Sequence, residues 1–285
     1  MTVRIVTDST SYIPYDLREE LGIAVVSLSV SFETETFREE EIDNATFYQK
    51  MAASKRVPTS SQPTPYDFYS LFEESVRAGD PVVGIFISAD MSGTCQSALT
   101  ARKMVLEKYP EAVIEIVDSR SNCMELGFAV LAAARAAKAS QPLEEVVRQA
   151  RHVIERSRFL FVPETLEYLR KGGRIGGAAA LLGAILQIRP ILTVMDGKTE
   201  VFNKVRTKGR AIQAIVETFL MDVQQRGLGE VAVHHINSEA EGKKVAEMIK
   251  ERLGKTVPVY SIGPVIGLHV GPGTVGVVYY TREMC

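Results

Sequence analysis

Three polar stretches of this 285-residue chain carry residue types able to hold an anion: Thr59-Ser60-Ser61-Gln62, Ser88 to Thr94, and His269 within a glycine-rich run. Hydroxyls can donate to an oxyanion, and Gly93 lets a ligand come close to the backbone. Ser88 to Thr94 follows the apolar run Val82 to Ile87 and precedes the helical spacing of Ala98 to Leu106. It is therefore a strand-to-helix turn, where unpaired N–H groups and the helix dipole favour an anion. With Ser88, Ser92 and Thr94 as donors, this turn either binds a ligand or is an ordinary N-cap by Ser92. Pro58, Pro63 and Pro65 hold Thr59 to Gln62 extended, as a recognition loop or a solvated linker.

His269 is the only titratable side chain between Gly263 and Gly276, where five glycines and two prolines predict an irregular backbone. It is either a ligand contact or a structural hydrogen-bond partner. The run matches neither the phosphate-loop nor the dinucleotide glycine pattern. His234 and His235 fall on opposite faces of a strand, so a shared metal is not expected.

The elements that must position these residues alternate. Strands are expected at Val3 to Thr7, Ile23 to Phe32, Val82 to Ile87 and Ala112 to Val117, with helices between and after them. Met124 to Ala139 is apolar almost all round and should be buried, whereas Leu143 to Ser157 is amphipathic. A second alternation starts at Phe159, which predicts two α/β domains, residues 1–157 and 158–285. There, Asp196-Gly197 marks a hairpin between Pro190 to Val194 and Thr199 to Val205. Gly176 to Ile188 reads as a helix of small and apolar residues, either packed in a core or lining an apolar cavity.

A formal charge of −2 gives no general attraction to nucleic acid or an anionic membrane, so neither is an expected partner. The cysteines at 95, 123 and 285 form no metal or disulfide pattern, and the cytoplasm is the expected compartment. The first residues are too polar for a signal peptide, and Ile175 to Ile188 is shorter than the roughly 20 residues that span a bilayer. No stable membrane insertion is expected.

Taken together, six stretches resemble the DegV family of bacterial fatty-acid-binding proteins, which includes the FakB subunits of fatty acid kinase. They are Thr7-Asp8-Ser9-Thr10, Thr59 to Pro63, Met91 to Ala98, Tyr168 to Ile175, Lys204 to Thr207 and His269 to Gly273. The resemblance implies two α/β domains with a long-chain fatty acid between them and no cofactor. It places carboxylate binding on Ser60 and Ser92, with Ser61, the Gly93 N–H and His269 completing the site. It further implies a non-enzymatic subunit that presents the carboxylate to a fatty acid kinase for phosphorylation to acyl phosphate, within phospholipid metabolism. Arg170, Arg174 and Arg206 are the expected basic rim facing that partner. The chain departs from the family at Ser60, where threonine is common, and at Cys95, where a larger residue is common; both bear on the pocket.

Physically, an acyl chain gains about 0.8 kcal/mol per buried methylene, while hydroxyls, a backbone N–H and an imidazolium would replace the water around its head. Val82 to Ile87 and Ile175 to Ile188 are the expected tunnel walls. The alternatives are a stand-alone hydrolase or phosphotransferase using Ser92, His269 and Asp8, or a structural module that holds no lipid.

Overall fold

Arg4–Asp8 and Val82–Phe86 pair at the centre of a four-stranded parallel sheet, flanked by Ile23–Val26 and Ile114–Asp118. The continuous apolar run of Val82–Phe86 suits a strand covered on both faces, and every residue of it is buried. The computed structural model describes residues 2–182 and 188–284. A six-stranded sheet follows in the order Lys198–Val205, Arg189–Met195, Ser157–Val162, Val275–Thr281, Leu228–His235 and Val259–Ser261. Every neighbouring pair in it is antiparallel except the last.

Helix Cys123–Lys138 contacts strands of both large sheets, which explains why it is apolar nearly all round. The main core runs without a break from Val3 and Ile5 to Phe159, Phe161 and Val278. A separate core, centred on Phe219 and Tyr279, lies beneath helices Lys208–Arg226 and Glu239–Leu253.

Three sequence expectations change. The strand expected over Ile23 to Phe32 is two, because Ser29–Ser31 leaves the parallel sheet and pairs with Thr36–Arg38 and Thr59–Ser61 in a three-stranded antiparallel sheet. The segment from Gly263 is not irregular: Pro264–Val270 is an α-helix, with proline in its first turn and Gly271 closing it. Its glycines serve close packing, since a Cβ on Gly267 would run into the Tyr48 hydroxyl. Finally, Gly176–Leu181 is a 3-10 turn whose residues are mostly exposed, with only Ala178 buried. The rest of the apolar helix expected up to Ile188 falls largely on residues 183–187, outside the described residues.

Candidate functional site

A cavity lies between the two large sheets. Its apolar wall includes Ile87, Phe159, Phe161, Leu169, Val265 and Ile266; Ser60, Ser61, Gln62, Ser92, Arg174 and His269 form a polar group in its lining, and Asn122, Thr199 and Thr274 are polar residues elsewhere in it. About 740 Å³ of atom-free space lies within it and at its mouth.

The polar residues close into a ring. His269 Nε2 lies 2.8 Å from the Ser60 Oγ. The Gln62 side chain lies where a Cβ on Gly93 would be. Arg174 donates from Nε to the Met91 carbonyl at 3.0 Å and from Nη1 to the Gly172 carbonyl at 2.7 Å. Gly172 in turn packs on His269 Nδ1, leaving no room for a side chain there.

Each element reaches the ring for a local reason. Ser60 sits on the edge strand Thr59–Ser61, opposite Val30. Gly93 is the N-cap of helix Thr94–Lys108 and has no side chain to cap it; the Ser92 hydroxyl accepts from the Thr94 N–H at 3.4 Å. The Ser92 and Thr94 hydroxyls are 2.8 Å apart, so one polar hydrogen of the pair is free to turn toward a ligand.

His269 is mostly buried, and its pKa is pushed down to about 4, first by burial and then by the charge of Arg174. Both causes favour the neutral ring over the imidazolium in the ligand-free site, whereas a bound carboxylate acts in the opposite direction. Among the described residues lining the cavity, Arg174 is the one arginine or lysine and none is acidic. That balance suits one anionic group held by neutral donors beside a single guanidinium.

The family model described as uncharacterised proteins of the DegV family matches residues 2–282. The chain belongs to the DegV family. A DegV domain-containing protein of Clostridium acetobutylicum is 54% identical over 283 residues, covering 99% of each chain. The solved structure of DegV from Bacillus subtilis, described as a fatty acid binding protein, superposes with a TM-score of 0.88 at 34% identity, covering 99% of both chains. A stearic acid-binding protein from Eubacterium ventriosum superposes with a TM-score of 0.90 at 25% identity over 98% of each chain.

In this DegV chain, Ser60, Ser61, Ser92 and His269 line one cavity, with Gly93 beside them under Gln62. Arg174, read from sequence as facing a partner, lines the cavity itself. Arg170 is exposed and pairs with Glu167 at 3.5 Å. Arg206 is exposed, just past the end of strand Lys198–Val205.

Ser88 is not a free donor, because its hydroxyl is buried and bonds to the Gly197 carbonyl at 2.8 Å. Of the expected walls, Ile87 lines the cavity but the strand Val82–Phe86 does not, and neither do residues 175–182. Cys95 does not line it either; its thiol points to the Ile87 carbonyl.

The arrangement of Ser92, His269 and Asp8 is not a triad. Asp8 accepts from the Thr10 N–H and hydroxyl and from the Ile87 N–H, and no carboxylate meets His269 Nδ1 among the described residues. A base held near pKa 4 is also poorly matched to neutral pH. Among the described residues no group of acids, cysteines and histidines could hold a metal, and no helix is long and apolar enough to cross a membrane.

Sequence reasoning placed Gln62 in the recognition loop without giving it a carboxylate contact, and missed the Phe159 and Phe161 wall. Their spacing of two in a strand already puts both rings on one face.

Proposed function

We propose that this DegV protein binds a long-chain fatty acid in the cavity between its sheets. Ser60, Ser61, Ser92, the Gly93 N–H and His269 take the carboxylate, and Arg174 balances its charge. The observation that carries this reading is the polar ring, drawn from both halves of the chain, beside a largely apolar cavity wall. Fatty-acid binding by the B. subtilis and E. ventriosum proteins of the same fold supports it. Residues 1–157 and 158–285 act as the two domains that enclose the ligand. The protein itself performs no chemistry on the acyl group. It presents the carboxylate to a fatty acid kinase for conversion to acyl phosphate, feeding phospholipid metabolism. The cytoplasm is the setting this implies, and the buried free thiols of Cys95 and Cys123 fit a reducing compartment.

Mass spectrometry of lipid extracted from the purified protein tests the binding. A long-chain fatty acid should be recovered from the wild type and reduced at least tenfold in Ser92→Ala and His269→Ala; no lipid and no uptake of added stearate would reject it. The kinase step has a separate test. Arg206→Glu should weaken kinase-dependent acyl phosphate formation while stearate binding is retained, and unchanged turnover would remove Arg206 from that role.

A further inference from the structure

The helix that carries His269 belongs by sequence to the second half of the chain, yet the first half holds it. Pro264–Val270 packs on strands Ser29–Ser31 and Thr59–Ser61 and on helix Asn44–Ala53, as well as on Glu167–Lys171. At its start, Glu39 Oε1 accepts from the Val265 N–H at 2.8 Å and from the Tyr12 hydroxyl at 2.9 Å. Tyr12 in turn accepts from the Ile266 N–H at 3.2 Å. The other carboxyl oxygen of Glu39 meets the Ser9 hydroxyl at 2.5 Å, and that hydroxyl receives the Leu28 N–H at 3.1 Å.

Two independent features show that this contact is tightly fitted. Tyr12 has a left-handed backbone, with φ at 49°, which a tyrosine adopts only when its surroundings impose it. Gly263 leaves room for the Tyr12 ring and the Glu39 carboxyl where a Cβ would stand. Leu28, Val265 and Ile266, the residues whose amides the network holds, all line the cavity.

We infer that Glu39, together with Tyr12, is the positioning pair of this site: it fixes helix Pro264–Val270 so that His269 meets Ser60 and the Val265–Ile266 wall faces the ligand. Neither residue touches the cavity; both act through the helix. The inference rests on the fatty-acid reading only for its binding consequence.

Its test uses the full chain and two readouts. NMR titration of the four histidine rings, with His269 assigned through His269→Ala, reports where that ring sits. Calorimetry with stearate reports binding. Glu39→Ala should bring the His269 titration from about 4 toward its ordinary 6.5 and weaken stearate binding at least tenfold. Glu39→Gln keeps an acceptor for Val265 and Tyr12, and should hold both readouts within threefold of wild type. Phe219→Leu, in the separate core, controls for general loss of stability and should leave the His269 titration in place. The inference is overturned if Glu39→Ala leaves His269 unmoved, or if Phe219→Leu moves it equally. If the wild-type protein does not bind stearate, the fatty-acid reading fails while the histidine titration still decides the positioning role.

Discussion

The two sheets meet on either side of the cavity through contacts of opposite character. On one side Glu39, Tyr12, Asn44 and Tyr48 grip the helix Pro264–Val270 and the residues before it, with buried or part-buried bonds to main-chain groups. On the other, the hairpin tip at Asp196-Gly197 rests on the turn after Val82–Phe86. One buried bond from Ser88 and two exposed ion pairs, Lys198 with Asp90 at 3.3 Å and Arg120 with Asp196 at 3.4 Å, hold it there. Surface ion pairs contribute about 0–1 kcal/mol and weaken in salt, whereas stripping a buried amide of its partner costs about 1–3 kcal/mol. The molecule is therefore fastened on the helix side and only latched on the hairpin side.

The largest effect should come from breaking the fastened side. In an exposed helix Gly→Ala gains about 1 kcal/mol from propensity. At Gly267 the new Cβ would enter the Tyr48 hydroxyl, and Tyr48 is itself buried against Phe47 with ring centroids 5.2 Å apart. Gly267→Ala is expected to cost about 3 kcal/mol in urea denaturation, as overpacking does, and Tyr48→Phe in the same chain should restore part of it. A neutral or stabilising result would mean the helix is not held as described.

A smaller effect separates the two sides by pH. Burial raises the Glu39 pKa from 4.5 to about 7, against the bonds from Ser9, Val265 and Tyr12 that lower it. The folded state thus holds this proton more tightly than the unfolded chain. The stability it contributes is full below about 4.5 and is lost as pH rises through about 7. His269 and His234, both lowered to about 4 by burial, run the other way: their contribution is full above 6.5 and is lost as pH falls toward 4. Glu39→Gln removes only the first trend. Relative to this variant, wild type should lose about 2 kcal/mol between pH 5 and pH 8. Urea midpoints measured at each pH check this, and a constant difference would contradict it.

The fastened side was also the harder one to read. Local pattern was enough for the parallel strands, the buried helix after Asn122 and the hairpin, because each declares itself within about ten residues. The hydroxyls of Ser60 and Ser92 were legible for the same reason: proline brackets and a strand-to-helix turn are local signals. The link from Glu39 to Val265 spans 226 residues. Nothing near Glu39, in a run of acids, distinguishes the one that is buried. The helix at Pro264 was hidden by its own glycines, whose spacing reflects the neighbours pressed against it rather than a loose backbone. Its Gly263-Pro264 start and Gly271 stop were the signals available.

The smallest effect falls on the latched side and sharpens the contrast most. Lys198→Glu sets two acids against each other at Asp90, where solvent reaches both side chains, so its cost should stay below about 1 kcal/mol. If this side is where the sheets part to admit a ligand, the variant should release stearate several-fold faster at low salt. In 1 M salt, where the screening length falls to about 3 Å, the difference should vanish. Stopped-flow transfer of stearate to an acceptor protein measures the rate. Equal rates at low salt would mean that the ion pair does not limit opening. A loss of stability as large as that of Gly267→Ala would mean that the hairpin, no less than the helix, is built into the core.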